Sequence, residues 1–467
     1  MATAAGEQHE GLDPRAKSAI WGAFIGFFVD MFDIYLPVVV LQPALIYFSP
    51  PEISTVEKSL ISGSIFAATL IGRPLGSFIF GHFADAIGRR RTAIISVSGF
   101  GVATLLMALL PGYRQWGIAA VIIFVVLRLV DGVFLGGEYT SANPLAMEYS
   151  PKEKRGFYSA FVMSGYPVAY AAISAITLGL LFLLPAGDIN SPYVQWGWRI
   201  PFLIGAALAF AFLIYLVRSV SESELFEESG GSESPLKELF RGQNLRNFLQ
   251  VFVLMTGFWF TLQPISAILP ERLADPVGLS KTNVTITLVV ANIVLVGGYF
   301  AAGVISQRIG RRPFLIAAGL VGAVVGTFFY YLLLSTAPQS LLLVIVLATI
   351  ATLLATSQWG ISTTYITERF HTGVRASGFG IGYSLAVVLP SFYAYYQAAL
   401  AYVMPFEYTV LVLLAVGGLL VALGAALGPE TKDVDFEEEV REAPEADRAP
   451  AETSPAEPRT APGAGGS

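Results

Sequence analysis

The 467-residue chain is 54% hydrophobic and only 13% charged, and it contains no cysteine. A water-soluble globule carries about a quarter charged residues, so that class is excluded, as are disulfides, thiol redox chemistry and cysteine-ligated metals. The net charge of −6 is concentrated at one end: from Gly428 onward the chain holds 11 acidic and 4 basic residues, which leaves the rest close to neutral.

Residues 1–17 are polar and lack the basic stretch and small-residue cleavage site of a secretory signal. They read as a cytoplasmic N-terminus ahead of an uncleaved first span. Crossing a bilayer as a helix takes about 20 apolar residues. Such blocks occur at 18–46, 59–81, 92–111, 117–138, 157–184 and 198–217. A hydrophilic linker follows at 218–247, and six more blocks lie at 248–270, 284–305, 313–334, 340–363, 377–399 and 406–427. Residues 428–467 are rich in Pro, Ala, Glu and Gly, a composition that predicts a disordered acidic tail. The blocks are too long for barrel strands and do not alternate. The predicted fold class is an all-α membrane protein, with twelve transmembrane helices in two six-helix bundles at 18–217 and 248–427.

Orientation follows from the basic residues, which favour the cytoplasmic loops. With the N-terminus inside, inner segments hold 21 Lys and Arg against 5 in outer loops, a fourfold bias that places both termini in the cytoplasm.

Ionisable groups inside spans are costly and are functional candidates by default. In chain order they are Asp30 and Asp33 in the first span, Arg73 in the second, and Arg128, Asp131 and Glu138 in the fourth. Asp30 and Asp33 are one turn apart and share a helix face. Burial penalises the charged form of a carboxylate, so their mid-span position suits a proton carrier, Asp33 first and Asp30 as its alternate. Arg128 fits a substrate carboxylate through paired hydrogen bonds, with Asp131 orienting it. Mutual pairing of Arg128 and Asp131 as a structural ion pair stays open, and Arg73 is a second candidate for substrate contact, with snorkelling to the membrane edge as its structural alternative. The second half answers with uncharged groups that suit a cavity lining: Gln263, Asn292, Gln358, Trp359, Tyr383 and Tyr393.

Two arginine-rich turns repeat one device. "GHFADAIGRRR" (81–91) joins spans 2 and 3, and "GVISQRIGRR" (303–312) joins spans 8 and 9. Gly81, Gly88, Arg89 and Arg90 align with Gly303, Gly310, Arg311 and Arg312 at a constant offset of 222. Glu148 precedes Arg155 by seven residues, and Glu368 precedes Arg375 by the same interval. Six spans repeated in parallel is a transporter architecture, with two bundles rocking about a midplane site. Gly81 lets helices approach closely and Gly88 permits a left-handed turn. Asp85 gains and loses its contacts as the bundles rock, in a gating network with Glu138 and the 4–5 loop.

These stretches resemble the loop signature of the major facilitator superfamily and its weaker second copy. "RLVDGVFLGGE" (128–138) matches the superfamily's fourth-span pattern, and "GPETK" (428–432) is similar to the ending of its sugar and metabolite porters. "RPLGSFIFGHFADAIGRR" (73–90) looks most like the metabolite:proton symporter branch, and "VDMFDIY" (29–35) resembles that branch and the aromatic-acid symporters. One departure is Gln307, which stands where the first copy has Asp85, so only the first loop carries a carboxylate at that place.

The resemblance implies a secondary active transporter, and two midplane arginines favour a small organic acid or related anionic or zwitterionic metabolite moved by proton symport and alternating access. A sugar or polyol porter is the alternative, with proton-antiport efflux behind it. No phosphate-binding Gly-x4-Gly-Lys-Ser/Thr loop is present to drive transport by ATP. No nucleophile, phosphate cradle or metal cluster points to an enzyme; His9, His82 and His371 are far apart. The implied partners are a small-molecule substrate, a proton and the lipid bilayer, with no nucleic acid, metal or cofactor. The chain is expected as a monomer in the cell or inner membrane.

Overall fold

The computed structural model describes residues 14–50, 52–87, 89–137, 139–219, 239–335, 340–371 and 374–436; for 81–87, 89–90, 139–142 and 219 the description covers the backbone alone. Most of the linker at 218–247 and the tail beyond 436 therefore lie outside the described residues.

Among the described residues, twelve helices are long and apolar enough to cross a bilayer: α1 (Pro14–Val40), α2 (Thr55–Phe80), α3 (Arg91–Ala108), α4 (Ile118–Leu135), α5 (Lys152–Leu183), α6 (Tyr193–Arg218), α7 (Gly242–Ala274), α8 (Lys281–Ile309), α9 (Arg311–Ser335), α10 (Leu341–Thr367), α11 (Arg375–Leu400) and α12 (Phe406–Leu427). The described residues contain no strand. All twelve predicted spans are present. Their ends shift where the sequence carries a breaker or a cap: α1 stops at Val40 because the chain tightens into a 3-10 turn at Gln42–Tyr47, with Pro43 in its first turn.

Large apolar side chains such as Phe182, Leu183, Phe328 and Leu342 point outward, as lipid contact requires. Lipid is as apolar as leucine, so helices associate by close packing instead of hydrophobic exclusion. In the first half α2 and α4 interlock through Gly72 and Gly76 against Gly132 and Gly136. A Cβ on Gly72 would sit 2.5 Å from the Leu129 carbonyl oxygen and 2.8 Å from the Val133 nitrogen. In the second half α7 and α12 approach as closely. A Cβ on Gly257 would lie 2.5 Å from the Val421 nitrogen, and one on Gly424 2.5 Å from the Leu254 Cα.

The two halves meet along a seam where α5 packs on α8, α2 on α11, and α1 touches the middle of α7. Two helices of the second half change geometry at the seam. The α7 helix widens into a π turn at Pro264–Ile268, because Pro264 has no N–H to continue the ladder, and α10 tightens into a 3-10 turn at Ser357–Ile361. Such irregular turns inside long helices mark functional positions in many proteins.

Candidate functional site

Five of the charged residues placed inside spans by sequence form one buried cluster in the first half. Arg73 donates to Asp30 at 2.9 Å. Arg128 Nη1 lies 3.2 Å from Asp33 and 3.0 Å from Asp131, so two carboxylates converge on one nitrogen. The same guanidinium donates from Nη2 to the Ile34 carbonyl at 3.0 Å. The hydroxyl of Thr104, from α3, donates to the other oxygen of Asp33. Both oxygens of Asp131 and Oδ1 of Asp30 accept no hydrogen bond. All five charged side chains are buried. The cluster holds three carboxylates and two guanidinium groups.

Geometry divides the two arginines. Arg128 is enclosed by its own bundle and uses its guanidinium on α1 and α4. Arg73 faces the seam, with its guanidinium carbon 6.0 Å from the ring centre of Tyr383 across the interface. Tyr383 packs edge-on against Trp259 at 5.3 Å and Trp359 at 6.0 Å, and each indole is pinned by an Nε1–H bond of 3.2 Å, to the carbonyls of Tyr383 and Phe258 respectively. Around this contact sit buried polar groups that lack partners. The Gln263 amide makes no hydrogen bond through either atom, at the position directly before the π segment of α7. The hydroxyls of Tyr35 and Tyr166, whose rings lie 5.0 Å apart, are likewise unpaired beside Ser266 of the opposite half. Gln358 and Asn292 bond within the second half. Gln358 donates to Ala355 at 2.6 Å and to Thr261 at 3.3 Å, and Asn292 donates to Leu288 at 2.9 Å within its own helix.

The two ends of the seam differ. The end opposite the arginine-rich turns contains a cavity of about 310 Å³, lined from both halves by residues that include Ser62, Phe66, Glu271, Lys281 and Tyr393. The Phe66 ring also packs, tilted, against that of Tyr35 with centres 5.5 Å apart, which links this cavity to the central hydroxyls. Glu271 accepts from Ser59 at 2.9 Å and from Ser62, and the Lys281 ammonium donates to the Pro43 carbonyl at 3.0 Å. These clasps were not legible in the sequence, where no motif or repeat marks Lys281, Ser59 or Ser62.

The arginine end is closed by a network. Glu368 lies 3.5 Å from Arg155 of the first half and 3.5 Å from Arg311, and accepts from Thr364 at 3.0 Å and Thr431 at 2.8 Å. Glu148 pairs with Arg375 across the seam at 2.6 Å. Gly303 and Gly156 bring α8 and α5 together: a Cβ on Gly303 would lie 2.5 Å from the Gly156 carbonyl oxygen. Gly310 has a φ of 103°, the left-handed turn expected of the motif. Gln307 accepts from Arg311 at 2.7 Å and from the Gly156 N–H at 3.2 Å, and donates to the Lys152 carbonyl at 3.1 Å. A carboxylate does reach the second copy, from the segment just after α12: Glu430 accepts from the N–H groups of Arg311 and Arg312 at 2.8 and 3.1 Å. Of the first-half gating residues, Gly88 and Glu138 lie outside the described residues, as do the side chains of Asp85, Arg89 and Arg90; Gly81 is described as helical backbone.

Twelve spanning helices in two bundles, with a charged cluster and unpaired polar groups at the seam, define a multi-pass membrane transport protein. The chain belongs to the Major Facilitator Superfamily, whose family model matches residues 23–394 and 248–459. It is 30% identical over 431 residues to the shikimate transporter of Escherichia coli (strain K12), covering 88% of this chain and 94% of that one. The alpha-ketoglutarate permease of the same organism is 28% identical over 370 residues, covering 79% and 83%. Among solved structures, the partially occluded inward open conformation of the xylose transporter XylE from E. coli aligns with a TM-score of 0.68 over 91% of this chain and 100% of that one. At 17% identity that likeness concerns the fold alone.

Proposed function

We propose that the chain carries a small organic acid together with a proton, by alternating access about the seam between its halves. The observation that carries this reading is the charge count of the buried cluster: three carboxylates face two guanidinium groups in a low-dielectric interior. An unbalanced charge is expensive there, and one bound proton makes the cluster neutral. Asp33 and Asp131, which share the Arg128 nitrogen, hold that proton, with Asp30 as the relay towards Arg73.

Arg73 receives the substrate carboxylate, because it stands at the seam and its planar guanidinium offers paired donors. The unpaired amide of Gln263 and the hydroxyls of Tyr35 and Tyr166 then satisfy further oxygen atoms of the substrate, so the favoured substrate is a carboxylic acid bearing hydroxyl or keto groups. Two relatives, a shikimate transporter and an alpha-ketoglutarate permease, support that class. Tyr393 lines the route from the cavity, and Trp359, Gln358 and Asn292 shape the second-half wall. Arg128 serves the proton, and its role as the direct substrate anchor passes to Arg73.

The basic-residue bias makes the arginine end cytoplasmic, so the described state is closed inside and hollow towards the outside. Asp85, Glu138 and the first-copy arginines are assigned to gating at that end, beside the second-copy network.

A thermal-shift screen of the purified protein against carboxylates, zwitterions and sugars at two pH values tests the reading. Stabilisation by hydroxy- or keto-acids, absent from the Arg73→Gln variant, is the expected result. Stabilisation by neutral sugars alone, or an unchanged carboxylate shift in Arg73→Gln, would replace it with a sugar or polyol porter.

A further inference from the structure

The short segment that follows α12 crosses the seam and ends in an aromatic ring held between two cations. Phe436 is buried, with the guanidinium carbon of Arg155 3.9 Å from its ring centre and that of Arg375 4.0 Å from it. Arg155 belongs to α5 in the first half and Arg375 to α11 in the second. Each arginine is also ion-paired across the interface, to Glu368 and Glu148. The residues before the ring are tied down in turn. Thr431 donates to Glu368 at 2.8 Å, the Val434 carbonyl accepts from Arg155 at 3.0 Å, and Asp435 lies 3.7 Å from Lys152.

We infer that Arg155 and Arg375 form an aromatic-binding slot across the two halves, that its ligand is the chain's own Phe436, and that residues 431–436 act as a strap holding the arginine end shut. The geometry requires both halves. When the bundles part, the ring can stay with one arginine but must lose the other, and Val434 and Asp435 keep or lose their first-half contacts with it. A cation stacked on an aromatic face is favoured more strongly when the pair is desolvated, as it is here. The strap therefore biases the conformational equilibrium towards the closed form, because its contacts differ between the two states. Sequence position alone gives no hint of this, since the segment reads as the start of a polar tail.

The inference rests on the reading that the halves separate at this end, and one experiment distinguishes the two. The chain has no cysteine, so spin labels at Lys154→Cys and Arg308→Cys, both exposed and on opposite halves, report the width of the arginine end in the full-length protein. Phe436→Ala is expected to raise the population at the longer distance about three- to tenfold, the size set by the one cation–aromatic contact that the parted form cannot keep, and Phe436→Tyr should restore the short distance. Unchanged distances in Phe436→Ala overturn the strap. Glu368→Ala, measured beside it, then tells whether the halves part at all: widening there retains alternating access without the strap, and no widening removes both.

Discussion

Arg128 and Arg73 are both buried arginines in the first half, yet their surroundings predict different losses. Arg128 pairs with Asp33 and Asp131 and ties α4 to the Asp33 and Ile34 carbonyls of α1. Removing one partner of a buried pair leaves an uncompensated charge and costs about 3–5 kcal/mol, so Arg128→Ala should lower the melting temperature sharply even without substrate. Arg128→Lys should recover little, because a point charge cannot span carboxylates and carbonyls at once. Arg73→Lys keeps a cation beside Asp30 and should melt near the parent temperature, while the affinity for a carboxylate falls roughly tenfold or more with the loss of the planar fork. Melting curves with and without ligand separate the two outcomes. At this scale the sequence revealed the charged residues, since each is costly in a membrane and stands out. It could not reveal which partners they take. Asp33 and Arg128 are 95 positions apart, and Thr104, Tyr35 and Tyr166 carry no signal that separates them from packing residues.

At the scale of the helix, twelve apolar runs were readable because a spanning segment must satisfy its backbone internally and expose apolar side chains over its whole length. The irregular turns were not. Pro264 warns of a local change in α7, whereas the 3-10 turn at Ser357–Ile361 contains no proline and arises from packing of Gln358 and Trp359 against α7. The packing glycines carry a firmer prediction. A Cβ on Gly132 would collide with the Thr69 carbonyl, which is backbone and cannot turn aside. Overpacking of this kind costs about 1–3 kcal/mol or more, so Gly132→Val should lower thermal stability and disturb Arg128, one turn away. Gly179→Ala is the matched control: nothing lies within 4 Å of the added carbon, and its melting temperature should stay at or slightly above the parent's. Equal destabilisation by the two changes would show that the α2–α4 contact is looser than described.

For the whole molecule, the asymmetry between halves is the feature that connects structure to mechanism. The first half holds the charged cluster and the Tyr35 and Tyr166 hydroxyls; the second offers the Gln263 amide and aromatic rings on helices that break at the seam. Clasps at one end and an ion-pair network at the other give the two bundles distinct contacts to exchange as they rock. The duplicated arginine turns and the Glu–Arg spacing made the two-bundle plan legible in sequence, because duplication preserves spacing. The clasps built on Glu271 and the closing contacts of Phe436 were hidden, since they join residues with no repeat or motif.

The central claim is that a proton on the Asp33–Arg128–Asp131 cluster drives accumulation of a carboxylate bound at the seam. Its most direct test uses proteoliposomes loaded for two assays: uphill uptake under an inward proton gradient, and counterflow exchange of substrate without net proton movement. The parent protein should concentrate the acid only when the gradient is imposed. Asp33→Asn should continue to exchange substrate at close to the parent rate and fail to concentrate it. Accumulation by the parent without a proton gradient, or gradient-driven accumulation that survives Asp33→Asn, would contradict the account.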